Sequence, residues 1–292
     1  MIKWSWDLGT YCNYKCDYCF FTQAGWENLE RLQGGQRTVT EIERAWGWLF
    51  EKYGRSRIFI TGGEPFLYPG FTEIASLLSR FHELHITSNL SQPLDRFLEK
   101  IKPENVELNS TYHPLHADRR EFRGQVLKLR KSGFKCDVCY LAHPLQLREM
   151  LYYKKYFLAS GINMEVTLFS GKYNGVDYPE GYEYTEQSLI RYTREWVSGE
   201  PGNKFEALWK NTEENPVGTL NGPDNDDKME ETGFICGAGR EHANIGVDGR
   251  VRVCGQTEIP LLGNIYEHDV RLLERPYVCS KKNCQYSERG HI

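Results

Sequence analysis

The chain has 292 residues, 40% of them hydrophobic and 13% aromatic, with a formal net charge of −4. This is enough apolar matter for a globular core of one large domain, or one domain plus a small appendage, and unlike a disordered chain. Without a dense Lys/Arg run, nucleic acid and acidic membrane surfaces are excluded as partners. No apolar stretch approaches the ~20 residues that span a bilayer, and residues 1–7 lack the basic start and apolar run of a secretion signal, so the expected location is the cytoplasm.

Strand and helix signals alternate from the start, which predicts a parallel α/β architecture. Residues 3–7 alternate Trp4 and Trp6 with polar neighbours and lead into a loop holding Cys12, Cys16 and Cys19 in a C-x3-C-x2-C spacing. Three thiolates can close around one metal centre, but a structural zinc site wants four protein ligands. Thr40 and Glu43 suggest a capping box for a helix over 40–52. A short buried strand at 57–61 ends at Gly62-Gly63-Glu64-Pro65. Helices are then expected at 71–81, 94–100, 119–132, 147–160 and 185–196, with strands at 84–88, 106–111, 134–142 and 163–169.

At the two loops the sequence resembles the radical S-adenosylmethionine enzymes. The three-cysteine spacing, the aromatic Tyr18 before the third cysteine and the Gly-Gly-Glu-Pro run after the second strand carry the resemblance. It implies a partial (β/α)6 TIM-type barrel, with Cys12, Cys16 and Cys19 holding three irons of a 4Fe–4S cluster and S-adenosylmethionine chelating the fourth. The bottom-up count of six βα units agrees. The resemblance further implies a flavodoxin- or ferredoxin-type reductant as partner. It makes Gly62 and Gly63 a close-approach site for the methionine end of the cofactor. Glu64 would offer its carboxylate to the ammonium group there. Ser88, Asn89 and Ser110, at strand ends, become candidate cofactor contacts; turn or cap roles are the alternative for each.

Two repeats of His-Pro-Leu, at 113–115 and 143–145, fall at strand ends and are candidate substrate contacts, or simple strand stops. Residues 170–184 hold Tyr173, Tyr178, Tyr182 and Tyr184, rings suited to stacking on a ring-shaped ligand or to forming an ordinary lid. Residues 199–233 are polar and read as a connector, which divides the chain into a barrel at 1–198 and a C-terminal part at 234–292.

That part contains Cys236, Cys254, Cys279 and Cys284. Short strands at 244–247 and 250–253 joined by Asp248-Gly249 form a hairpin that brings Cys236 and Cys254 together. Four cysteines saturate either zinc or a 4Fe–4S cluster, and spacing alone does not choose. The opening pattern is similar to the SPASM and shortened Twitch extensions of the same family, which implies a Twitch-like domain with one auxiliary 4Fe–4S cluster. Cys136 and Cys139 remain; Asp137, Cys139, Leu141 and His143 share a strand face, and its polar members suggest that this face looks at the site. Cys139 is either a packed thiol or the catalytic donor of a hydrogen atom to a substrate radical.

The implied activity is that of an oxidoreductase or epimerase. It would take a hydrogen atom from a polar small molecule, of sugar or aminocyclitol type, preferred for the Tyr-rich segment and the lack of an N-terminal peptide-recognition domain. A ribosomally made peptide is the second substrate reading, and a non-enzymatic iron–sulfur or zinc scaffold is the third.

Overall fold

The computed structural model describes residues 1–19, 21, 36–196, 234–255 and 260–279. The expected connector at 199–233 and Cys284 therefore lie outside the described residues. In chain order the elements are β1 (Lys3–Asp7), α1 (Val39–Tyr53), β2 (Arg57–Thr61), α2 (Phe71–Leu78), β3 (Glu83–Ser88), α3 (Asp95–Lys100), β4 (Val106–Tyr112), α4 (Arg119–Lys131) and β5 (Lys135–Ala142). They continue with α5 (Met150–Leu158), β6 (Met164–Leu168), the hairpin β7 (Gly171–Tyr173) and β8 (Val176–Tyr178), and α6 (Tyr184–Glu195). The C-terminal strands are β9 (Phe234–Cys236), β10 (His242–Ile245), β11 (Arg250–Arg252), β12 (Leu261–Asn264) and β13 (Tyr277–Cys279). Among the described residues no helix is long and apolar enough to cross a membrane.

The architecture is mixed α/β with a large parallel sheet. The described residues form two compact units, one drawn from Met1–Ser110, His116–Cys136 and Glu231–Ile292, the other from Thr111–Leu115 and Asp137–Glu230. In the first unit β1 pairs parallel with β2, β2 with β3 and β3 with β4. In the second, β5 pairs parallel with β6. Helices connect these strands, as a partial βα barrel requires.

Period-2 patterning explains which face of each strand is buried. Trp4 and Trp6, Ile58 and Ile60, Leu84 and Ile86, and Val106 and Leu108 point into the core, while Lys3, Ser5, His85 and Asn109 occupy the opposite face. Helix α1 lays Ile42, Ala45, Trp46 and Leu49, spaced at 3–4 residues, on that core. The Trp46 ring meets Trp6 at 5.2 Å and Trp4 edge-on at 6.5 Å.

The α1 cap lies two residues before the expected one. Thr38 Oγ1 accepts from Glu41 N, and Glu41 Oε2 accepts from Thr38 N at 2.8 Å. Two Thr-x-x-Glu frames overlap here; the earlier one wins because Tyr68 OH bonds both the N–H and the carbonyl of Arg37, fixing the chain just before Thr38.

The C-terminal strands extend the first unit's sheet. β10 runs parallel to β1, with Lys3 opposite His242 and Trp6 opposite Ile245, and β11 and β12 follow antiparallel. The expected hairpin is present, but its connection is Gly246–Gly249 rather than Asp248-Gly249 alone. Gly249 N returns to Gly246 O at 2.8 Å, and the Asp248 carboxylate accepts from Arg250 N at 3.1 Å. The chain beyond β12 is clasped by α1: Lys52 Nζ and Tyr53 OH both donate to Val270 O, at 2.7 and 3.0 Å.

Because Trp46 is 1% exposed between two other indoles, Trp46→Ala should lower unfolding free energy by about 3–5 kcal/mol. Urea denaturation of both proteins measures it; a loss under about 1 kcal/mol would mean that α1 does not anchor β1.

Candidate functional site

Past the ends of β1 and β2 the backbone pairing continues into the loops. Leu8 N donates to Thr61 O at 2.9 Å, Gly63 N to Gly9 O at 2.7 Å and Glu64 N to Tyr11 O at 2.9 Å. The cysteine loop and the Gly-Gly-Glu loop are thus joined main chain to main chain. A Cβ on Gly63 would sit 2.1 Å from Tyr11 O, and one on Gly62 would sit 2.4 Å from Gly9 O. Gly62 also holds φ at 126°, a region open to glycine. The close approach these glycines permit in this structure is therefore to the neighbouring loop's own backbone. Pro65 then starts a 3-10 turn, Pro65–Leu67, where its missing N–H costs nothing.

Glu64 is 3% exposed. Its Oε1 accepts from Phe66 N at 3.0 Å and Ser88 Oγ at 2.8 Å, and Oε2 accepts from Asn89 N at 2.7 Å. Burial pushes its carboxyl up to about 7, with the three donors pulling back. Ser88 and Asn89 thus both converge on Glu64. The Asn89 side chain also reaches the cysteine loop, donating to Asn13 Oδ1 at 3.2 Å and toward Cys12 Sγ at 3.8 Å.

In that loop Cys16 is buried, and Cys12 and Cys19 are half-buried. Cys12 Sγ accepts from Tyr14 N at 3.4 Å, Tyr18 hydrogen-bonds the Cys16 sulfur, and a tight turn returns Cys19 N to Cys16 O at 2.9 Å. Burial pushes the Cys16 thiol up to about 12 and the Cys12 thiol up as well, and the cysteines' mutual charges add to both shifts. Among the described residues no three His, Cys, Asp or Glu side chains close around a single ion. The three thiols are nevertheless electrostatic neighbours, with N–H donors directed at the Cys12 sulfur and the Tyr18 hydroxyl at the Cys16 sulfur. That donor set suits a multi-iron cluster, whose sulfurs and irons separate the ligands, better than one bare ion.

Ser110 is fully buried on the core face of β4, its Oγ 3.5 Å from Cys136 Sγ; Asn109 and Thr111 occupy the more open face. On β5 the open face carries Asp137, Cys139 and Leu141, as the alternation predicts, while Cys136 is 2% exposed on the other side. Cys139 Sγ lies 3.0 Å from Thr167 Oγ1.

His143, a candidate substrate contact expected on that same open face, is instead fully buried, because β5 ends at Ala142 and His143 caps the 3-10 turn that follows: its Nδ1 accepts from Leu145 N at 3.3 Å and its ring packs on Phe169 and Tyr173. The Tyr-rich segment opens with a hairpin that leaves Tyr173 and Tyr178 half-exposed; Tyr182 is buried and Tyr184 is exposed. Tyr182 OH donates to Ala142 O at 2.5 Å and accepts from Phe169 N at 2.9 Å, and Tyr178 packs on Phe169 and Tyr182. The overlooked signal was Asn174-Gly175, a two-residue hairpin dipeptide with φ of 48° and 83°.

In the second cysteine group, Cys236 on β9 pairs with Tyr277 on β13, and Cys279 pairs with Phe234. Cys236 Sγ accepts from Ala238 N at 3.4 Å. A Cβ on Gly239 would meet Val253 and Leu273 side chains at 3.1 and 2.8 Å. The segments next to Cys236 and Cys254 therefore meet at Gly239. Sequence reading also missed Asp7, at the end of β1: burial pushes its carboxyl up to about 7 while the charge of Arg252, on β11, draws it down.

Residues 6–140 match the Radical SAM superfamily. The fold is similar to that of anSMEcpe with bound AdoMet, at a TM-score of 0.57 and 15% identity over 91% of this chain and 78% of that one. Native anSMEcpe with bound AdoMet and Cp18Cys peptide gives a TM-score of 0.58 and 15% identity, covering 91% and 77%. Streptococcus suis SuiB bound to S-adenosylmethionine gives 0.57 and 14%, covering 92% of this chain and 62% of SuiB. The chain thus spans less than two thirds of SuiB. At these identities the likeness is one of fold. No curated protein matches the chain.

A carboxyl whose pKa is raised by folding binds a proton more tightly in the native state, so its contribution to stability grows as pH falls through about 7 toward its unfolded value. Wild type should therefore gain stability relative to Asp7→Asn between pH 8 and pH 5. Parallel urea midpoints across that range would contradict the buried-acid assignment.

Proposed function

We propose that this chain, whose residues 6–140 carry a Radical SAM superfamily domain, reductively cleaves S-adenosylmethionine and abstracts a hydrogen atom from a bound substrate. The observation that carries the reading is the main-chain junction of the two loops, Gly63 N to Gly9 O and Glu64 N to Tyr11 O. It sets the three thiols beside the buried carboxylate. Cys12, Cys16 and Cys19 would hold a 4Fe–4S cluster by three irons. When bound, the cluster supplies the electron that splits the cofactor into methionine and a 5′-deoxyadenosyl radical.

The chain's own residues do the rest by position. Gly62, Gly63 and Pro65 set the backbone of the cofactor loop, with Tyr18 on the opposite loop. Glu64, kept near neutrality by burial, gains from a cationic ammonium group beside it, since an opposite charge favours its ionised form. Ser88 and Asn89 fix the orientation of that carboxylate. Ser110 supports the strand end from within rather than meeting the cofactor. A flavodoxin- or ferredoxin-type protein is the proposed electron donor.

Cys236, Cys254, Cys279 and Cys284 are proposed to hold an auxiliary 4Fe–4S cluster in a Twitch-like region at 234–292, following a connector at 199–233 and the barrel at 1–198. The meeting of the segments around Gly239 and the β9–β13 pairing, which sets Cys236 opposite Tyr277, two residues from Cys279, support it. Such a cluster would accept an electron from the substrate radical and make the reaction an oxidation.

A polar substrate suits the open strand face of the second unit, which carries Thr111, Asp137 and Thr167. Burial of Tyr182 takes that ring out of reach of a sugar-like ligand, while Tyr173 and Tyr178 stay half-exposed and Tyr184 exposed. The peptide held by anSMEcpe favours the second reading, a peptide substrate.

Anaerobic reconstitution with dithionite and S-adenosylmethionine should yield 5′-deoxyadenosine, and Cys12→Ala/Cys16→Ala/Cys19→Ala should abolish it. Wild-type protein that binds iron but makes none would leave only the scaffold reading. Iron should number about eight per chain, falling to about four in Cys236→Ala/Cys254→Ala.

Cys139 separates oxidation from epimerisation. A thiol exchanges with solvent, so epimerisation through Cys139 should place deuterium in product formed in D2O, and Cys139→Ala should lose it. Product oxidised by two electrons and free of deuterium would sink the Cys139 role.

A further inference from the structure

Asn89 follows β3 and is held by its own backbone and carbonyl. Its N–H donates to Glu64 Oε2 at 2.7 Å, and its Oδ1 accepts from Ser91 N at 2.9 Å. Leu90, next in the chain, takes φ of 51°, an uncommon conformation for a residue with a branched side chain. Asn89 is 6% exposed. These constraints leave Nδ2 facing the cysteine loop, where it donates to Asn13 Oδ1 at 3.2 Å and to Cys12 Sγ at 3.8 Å. Ser91 Oγ donates to the same Asn13 oxygen at 3.1 Å.

The two donors at Cys12 differ in origin. Tyr14 N is local and comes with the turn of the loop. The Asn89 amide arrives from 77 residues away, just past β3, whose Ser88 also bonds the Glu64 carboxylate. A sulfur that accepts an N–H bond carries added negative charge more readily, and hydrogen bonds to cluster sulfurs are among the factors that set reduction potential.

We infer that Asn89 is a positioning residue that acts through Cys12: its amide N–H fixes the Cys12 sulfur and raises the reduction potential of the cluster bound there. This differs from the direct cofactor contact that its strand-end position suggests, and it rests on the cluster assignment proposed above.

The test compares anaerobically reconstituted wild type with Asn89→Leu, which removes the donors at similar volume. Asn89→Asp, which keeps an acceptor for Ser91 N, is the second variant. Iron content and an EPR-monitored redox titration are read for each. Both variants should hold wild-type iron, and at the wild-type midpoint the ratio of reduced to oxidised cluster should fall about three- to tenfold. Tenfold corresponds to about 59 mV for a one-electron couple. Ser91→Ala, which loses the Ser91 Oγ bonds to Asn13 and Gln92 but no donor to Cys12, should leave the midpoint in place. Full iron with an unchanged midpoint in Asn89→Leu overturns the inference. Loss of the cluster from both Asn89 variants also overturns it, assigning the residue to assembly instead. A wild type that takes up no cluster sinks the proposed function itself, a result distinguishable from either.

Discussion

Two main-chain hydrogen bonds, Gly63 N to Gly9 O and Glu64 N to Tyr11 O, are what the site depends on. They carry the β1–β2 pairing beyond the strands and into two loops that would otherwise be free to separate. Buried backbone donors need partners, and here each loop satisfies the other. The approach is so close that a Cβ at either glycine would overlap the opposing carbonyl oxygen. Glycine is therefore required by the packing of one loop on another, before any ligand is considered. The cysteines inherit their position relative to Glu64 from that contact.

Glu64 illustrates how magnitudes decide protonation. Three neutral donors bond its carboxylate, each favouring the charged form. Burial opposes them and wins, leaving the group near 7 rather than in the ordinary carboxylate range. A carboxyl so poised is sensitive to any charge placed next to it. The same donors lock its orientation, since Ser88 and Asn89 approach from β3 while Phe66 approaches from the group's own loop. Position is fixed by neutral partners, and charge is left for a ligand to settle.

Much of this was legible in the sequence because it is local. Alternation gave the strand faces, and Trp4 and Trp6 marked the buried side of β1 correctly. The two loops announced themselves by composition. What was less legible was mostly a matter of register. Ser88 and Ser110 pair across β3 and β4 and both lie on the buried face, so polarity at a strand end did not mean access to the open side. In the Tyr-rich segment aromatic content was legible, but Asn174-Gly175, the dipeptide that turns the chain so that Tyr173 meets His143 and Tyr178 meets Phe169, was not weighed. The parallel pairing of β10 with β1 joins residues 239 positions apart, and no local pattern signals such a contact.

That distant pairing changes how the C-terminal strands should be understood. β1 has two parallel neighbours: β2 brings the Gly-Gly-Glu loop, and β10 brings the hairpin that precedes Cys254. Helix α1 ties both sides together, since one face packs on Trp4 and Trp6 while Lys52 and Tyr53 hold Val270 and Arg37 lies over Tyr266. Arg252 on β11 then supplies the positive charge felt by Asp7, five residues before Cys12. The electrostatic setting of the end of β1 is thus partly built by a residue from the far end of the chain. Removing those strands would expose the edge of β1 and take away the charge that opposes the burial of Asp7, so the sheet and the polar face beside the cysteine loop have to form together.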